Sequence, residues 1–132
     1  MYKRQARQLF DVRLSEYWHT RYSFGASSPR VISPLSFSSI NLLTINAVVP
    51  LLYAYGHTHD DTALMDRAVG ILQQLPAEKN SVVEPFVRSG IKAGDAFASQ
   101  ALIQLRRQYC EKRKCLFCRI GHRLLAAMAP RG

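Results

Sequence analysis

Apolar residues recur along the chain at helical intervals, and no stretch alternates convincingly with a period of two. Ser38 or Ser39 can cap a first helix that carries Ile40, Leu43, Ala47 and Leu51 along one side. Pro50 predicts a kink or break near the end of that helix, and Tyr53-Ala54-Tyr55-Gly56 closes it. Asp60 or Asp61 starts a second helix, with Leu64, Ala68, Ile71, Leu72 and Leu75 on one face and Pro76 as its stop. Ser81-Val82-Val83-Glu84 fits a capping box, in which serine and glutamate each satisfy a free backbone donor, and Gly90 ends the short helix behind it. A fourth helix begins near Asp95, places Ala98, Ala101, Leu102, Leu105 and Tyr109 on one side and runs into Cys110. A fifth covers Leu116 to Met128. Gly25 to Ser39, with two prolines and six serines, is expected as a loop. The pattern predicts an all-α fold: a compact bundle of about five helices, with a cysteine-containing loop near the C-terminus and residues 1–132 as one helical domain.

Composition narrows the class. A chain of 132 residues with 48% hydrophobic content can bury a core without disulfide staples. The apolar run Val48 to Ala54, with a proline inside it, is far short of the roughly 18 residues that span a bilayer, so no membrane crossing is expected. Only Leu9 and Phe10 follow the basic Met1 to Arg7 stretch before Asp11, which is too little for a signal peptide, and a cytoplasmic location follows as the default. Three cysteines within nine positions suit metal or thiol chemistry better than a secreted disulfide framework.

Charge adds a direction. Eighteen Lys and Arg against nine Asp and Glu give a net charge of +9, and 13 of the 18 are Arg, the side chain better shaped to grip phosphate or carboxylate. Residues 106–132 alone carry eight positive groups and one negative. The stripe Arg106, Arg107, Lys112, Arg113, Lys114, Arg119 and Arg123 exceeds what solubility needs and points to an acidic partner, DNA or RNA, against the plainer alternative of a solvated helix face.

Within that stripe lies Cys110-x4-Cys115-x2-Cys118. Two cysteines separated by two residues can place both sulfurs on one ion, and a third can join across a short loop. His122, one helical turn after Cys118, makes Cys3His the simplest closed site, with zinc as the expected metal and an iron–sulfur cluster as the alternative. His19, or His57 and His59, could instead arrive through the fold. A redox dithiol and inert buried thiols are the competing readings. Tyr17-Trp18-His19-Thr20-Arg21-Tyr22 could stack on bases, although a core anchor is the commoner fate of such a cluster. His57 and His59 are expected in an exposed turn between helices.

Several of these strings resemble one family. Tyr17-Trp18-His19-Thr20-Arg21-Tyr22-x-Phe24-Gly25, Ile45-Asn46-x-x-Val49-Pro50-x-x-Tyr53-Ala54-Tyr55-Gly56 and Gln74-Leu75-Pro76-Ala77-Glu78-x-Asn80 come first. Ser99 to Leu105 and Tyr109-Cys110-x4-Cys115-Leu116-x-Cys118-x-Ile120-Gly121 complete the set. Together, from about Tyr17 to Leu125, they resemble the C-terminal part of bacterial proteins in domain-of-unknown-function family 2851. Full-length members are several times longer, with an N-terminal half that resembles a PD-(D/E)xK nuclease. The resemblance therefore implies a C-terminal module or fragment of a longer protein. It carries over Cys110, Cys115 and Cys118 but no catalytic residue, so no enzyme is expected. In the family the His122 position is not reliably histidine, which implies His19 as the alternative fourth ligand. The sequence thus leads to a non-catalytic module with a three-cysteine metal knuckle and a nucleic-acid surface. Its alternative is an interaction domain that docks onto a nuclease-like partner domain, with the cysteines merely buried.

Overall fold

A computed structural model describes residues 5, 8–32 and 35–128. The basic stretch read from Met1 to Arg7 therefore falls, apart from Gln5, outside the described residues, as do Ser33 and Pro34 of the serine-rich loop. The all-α class holds: regular structure among the described residues is helical, and the sole β feature there is an isolated bridge between Ser23 and Ala26. The chain divides into two compact units, Met1–Leu75 and Pro76–Gly132.

In the first unit Gln5, Gln8 and Leu9 are helical, and a short 3-10 turn, Glu16–Thr20, comes next, followed by an irregular segment. Its main element is α1, Phe37–Thr58, 22 residues long. Ser36, not Ser38 or Ser39, caps it by accepting a hydrogen bond from the Ser39 N–H at 3.2 Å. Pro50 does not break α1. The helix widens into a π turn over Thr44–Val48, where the Val49 N–H reaches back to the Thr44 carbonyl, so the missing proline N–H falls where the ladder has already shifted register. The Thr44 hydroxyl donates to the Ile40 carbonyl at 2.8 Å, and the Asn46 amide donates to the Leu42 carbonyl at 2.9 Å, holding the carbonyls around the bulge.

The buried side of α1 is Ile40, Thr44, Ile45 and Val49, while Leu43, Ala47 and Leu51 of the expected inner face are exposed. By length and composition α1 is also apolar enough to cross a membrane, with a mean hydropathy of 1.5. The run from Val48 to Ala54 missed this because polar residues such as Asn46 are spaced singly along the helix.

Gly56 does not end α1. It is buried where α1 turns back on helix α2, Thr62–Gln74, and a Cβ there would stand 3.0 Å from the Asp61 carbonyl oxygen. Asp61 caps α2 as expected, accepting from the Leu64 N–H at 2.9 Å. The face of α2 is also the expected one, with Ala68, Ile71 and Leu75 buried. Pro76 follows directly.

The second unit begins with an Asn80 turn. The Asn80 carboxamide accepts from the N–H groups of Val82 and Val83, at 3.0 and 2.9 Å, and so takes the capping role expected of Ser81. Helix α3, Glu84–Arg88, is one turn long and ends before Gly90, whose φ of +89° suits glycine. Asp95 caps α4, Ala96–Leu105, through the Ala98 N–H at 2.8 Å, as expected. The buried stripe of α4 is Ala96, Ser99 and Leu102, shifted from the expected face because Ser99 turns inward. Its hydroxyl donates to the Ala96 carbonyl at 3.0 Å and accepts from the Glu78 N–H at 3.1 Å, tying the chain before α3 to α4. The Gln100 amide donates to the Glu78 carboxylate beside it. A π turn, Arg106–Cys110, and a 3-10 turn, Cys115–Phe117, lead to α5, Arg119–Met128, which starts three residues later than the expected helix.

Candidate functional site

Between α4 and α5 the backbone folds into a tight knuckle, held by its own hydrogen bonds. The Glu111 N–H closes the π turn onto the Arg106 carbonyl at 2.9 Å. The Arg113 N–H then donates to the Cys110 carbonyl at 3.1 Å, and the Lys114 N–H to the Tyr109 carbonyl at 2.9 Å. Arg113 completes this reversal at φ +51°, a left-handed conformation that β-carbon-bearing residues adopt at a cost. The 3-10 turn follows, with Phe117 N–H on the Lys114 carbonyl and Cys118 N–H on the Cys115 carbonyl. The His122 N–H on the Cys118 carbonyl, at 2.8 Å, opens α5. Gly121 makes the closure possible. A Cβ there would stand 2.5 Å from the Cys115 carbonyl oxygen, so α5 can press on the turn only where no side chain intervenes.

Inside the knuckle is an apolar cavity of about 210 Å³, whose lining includes Phe86, Tyr109, Ile120 and all three cysteines. The spacing of Cys110, Cys115 and Cys118 therefore does bring them to one place. It does not assemble the expected zinc or iron–sulfur ligand set. Among the described residues no group of three or more His, Cys, Asp or Glu side chains could hold a metal ion. Cys118 is buried, whereas Cys110 and Cys115 are exposed. His122 is exposed on α5, and His19, the alternative fourth ligand, belongs to the first unit. No disulfide joins the cysteines, which are all free thiols.

Around this apolar centre the surface is basic. Of the seven cations expected to form a stripe, Arg106 is half-buried and bonded, by an ion pair to Glu111 at 3.4 Å and a hydrogen bond to the Ser81 carbonyl at 3.4 Å. Lys112 donates to the Gln108 side chain at 2.6 Å. Arg107, Arg113, Lys114, Arg119 and Arg123 are exposed, without an acidic partner among the described residues. Leu116 and Phe117 stand among them, 72% and 82% exposed, and sequence patterning alone did not single them out.

The aromatic string of the first unit behaves differently. Trp18 meets Tyr17 and Phe24 edge-on, with ring centroids 5.0 and 4.9 Å away, and the Arg21 guanidinium lies 4.5 Å from the Tyr17 ring centre. The Tyr17 hydroxyl accepts from the Gly25 N–H at 3.1 Å. This is a self-contained surface cluster rather than the expected core anchor, since Trp18 is only half-buried. His57 and His59 are exposed, as expected, and the His59 ring stacks on Tyr55 with centroids 4.1 Å apart.

A family model described as "Protein of unknown function (DUF2851)" matches residues 2–81. That span includes the Tyr17 to Gly25, Ile45 to Gly56 and Gln74 to Asn80 strings and stops before the cysteines. No curated protein and no solved structure matches the chain.

Proposed function

The chain belongs to the DUF2851 family of proteins of unknown function, and from that premise we propose that it is a non-catalytic helical module that contacts nucleic acid through its second unit. The carrying observation is the knuckle from Arg106 to Arg123, with six exposed Lys and Arg side chains that have no acidic partner among the described residues and its single acid, Glu111, paired with Arg106. A backbone fixed by hydrogen bonds and by Gly121 holds these cations in a defined array, which favours a contact surface over a solvated tail. Arginine predominates among them and matches phosphate oxygens in a fork. The test is fluorescence anisotropy of labelled oligonucleotides across a salt series. Affinity that falls steeply with salt supports the reading, because each neutralised phosphate releases counterions; absent or salt-independent binding contradicts it.

A second reading rests on α1. Leu43, Ala47, Leu51 and Tyr55, four residues apart, form an exposed apolar ladder along this helix. Such a ladder suits docking onto another protein domain, including the nuclease-like domain implied by the resemblance. Co-expression with such a domain tests it. A stable complex that Leu51→Gln disrupts supports docking, and independent migration of the two contradicts it.

A further inference from the structure

Leu116 and Phe117 pose a problem that charge alone does not solve. Two large apolar side chains at the tip of a hydrogen-bonded turn are left almost wholly in water, while an apolar cavity lies beneath the same turn. Phe117 is also unlike the rings of the first unit. Tyr17, Trp18 and Phe24 pack on one another, whereas the Phe117 ring touches no other aromatic ring among the described residues and stands 82% exposed. Cations bracket it on both sides in sequence, Lys112, Arg113 and Lys114 before and Arg119 after.

We infer that Phe117 is a stacking platform for an unpaired base, so that the knuckle takes single-stranded nucleic acid in preference to duplex; this deepens the nucleic-acid reading and rests on it. An open ring face between phosphate-binding cations matches the repeating chemistry of a single strand, which offers a flat base and an anionic linkage at each step. A duplex hides those faces in its own stack, and so would use the cations but not the ring. The 3-10 turn from Cys115 to Phe117 fixes the position of Phe117, because both its ends are bonded and Gly121 lets α5 press on its base. Less ordering is then needed on binding than a mobile aromatic loop would require. An anionic membrane is the rival partner for exposed apolar groups beside cations. It fits less well, since two adjacent apolar side chains on a single 3-10 turn offer a bilayer little area to bury.

The experiment uses the whole chain, anisotropy with an oligothymidylate of about ten nucleotides, a duplex of similar length, and phosphatidylserine vesicles. Phe117→Ala is expected to weaken single-strand binding about tenfold, to weaken duplex binding less, and to leave the salt slope in place, while Phe117→Tyr binds as the parent does. The triple variant K112Q/R113Q/K114Q should weaken both nucleic acids and flatten the slope by roughly two. If Phe117→Ala binds the single strand as tightly as the parent, the platform is overturned while the charge reading stands. If the triple variant also matches the parent, the nucleic-acid reading falls with it. Vesicle binding without oligonucleotide binding overturns the inference in favour of a membrane. Because Phe117 is 82% exposed, its removal leaves the fold in place, which unchanged helical circular dichroism verifies.

Discussion

The two units solve the same problem, closing a reversal of a helical chain, and leave opposite surfaces behind. In the first, α1 turns back on α2 at Gly56, and the side left outside is a ladder of Leu43, Ala47, Leu51 and Tyr55. In the second, the chain leaving α4 reverses in the knuckle and α5 presses on that knuckle at Gly121, and the exposed side carries Arg107, Lys112, Arg113, Lys114, Arg119 and Arg123 together with Phe117. The first unit carries seven Lys and Arg against five acids, and the second eleven against four. The first unit thus exposes an apolar surface and the second a basic one, and the two suit different partners.

The glycines are the sharpest way to break this comparison. Gly121→Ala forces a Cβ to 2.5 Å from the Cys115 carbonyl oxygen, a backbone atom that cannot swing aside. It is expected to destabilise the protein by about 3 kcal/mol, the upper end of ordinary overpacking costs, in denaturant unfolding. Gly56→Ala meets the Asp61 carbonyl at 3.0 Å and the flexible Met65 side chain at 3.1 Å, and should cost about 1 kcal/mol. Equal costs would show that the two reversals are closed equally tightly and would remove this difference between the units.

Next in size is Ser99→Ala. It removes a fully buried hydroxyl that accepts from the Glu78 N–H, leaving that donor without this partner. A loss of about 1–3 kcal/mol is expected in thermal or urea melts; the buried hydroxyl of the first unit, Thr44, bonds within its own helix instead, to the Ile40 carbonyl. Smallest is Leu51→Gln. With Leu51 69% exposed, the change should move stability by no more than about 0.5 kcal/mol. A larger loss in chemical denaturation would mean that the α1 ladder is covered within the protein itself.

Local chemistry was legible in the sequence where a single residue decides it. Asp61 and Asp95 each accept a backbone N–H three residues on, as their positions ahead of apolar runs suggest. The face of α2 was legible because polar residues mark its outer side. The face of α1 was not, since a helix apolar nearly all round offers two ladders and periodicity cannot choose between Leu43-Ala47-Leu51 and Ile40-Ile45-Val49. The inward turn of Ser99 was hidden because burial of a polar side chain depends on a partner 21 residues away, the Glu78 N–H. Pro50 misled because a π turn absorbed it. At the candidate site, cysteine spacing located the knuckle and charge located its rim. Spacing could not say which way each sulfur faces: Cys118 is buried, Cys110 and Cys115 are exposed, and no closed ligand set forms among the described residues. Gly121 and Phe117 needed the backbone itself, because a close approach and an open ring face leave no periodic trace.

The central claim is that the second unit, rather than the first, meets the nucleic acid. Photo-cross-linking of the whole protein to a single-stranded oligonucleotide with photoreactive bases, mapped by peptide mass spectrometry, tests it most directly. The account predicts adducts between residues 106 and 123, with Phe117 among them. Adducts confined to the Tyr17, Trp18 and Phe24 cluster of the first unit, or no adducts under conditions where a known single-strand binder gives them, would contradict it.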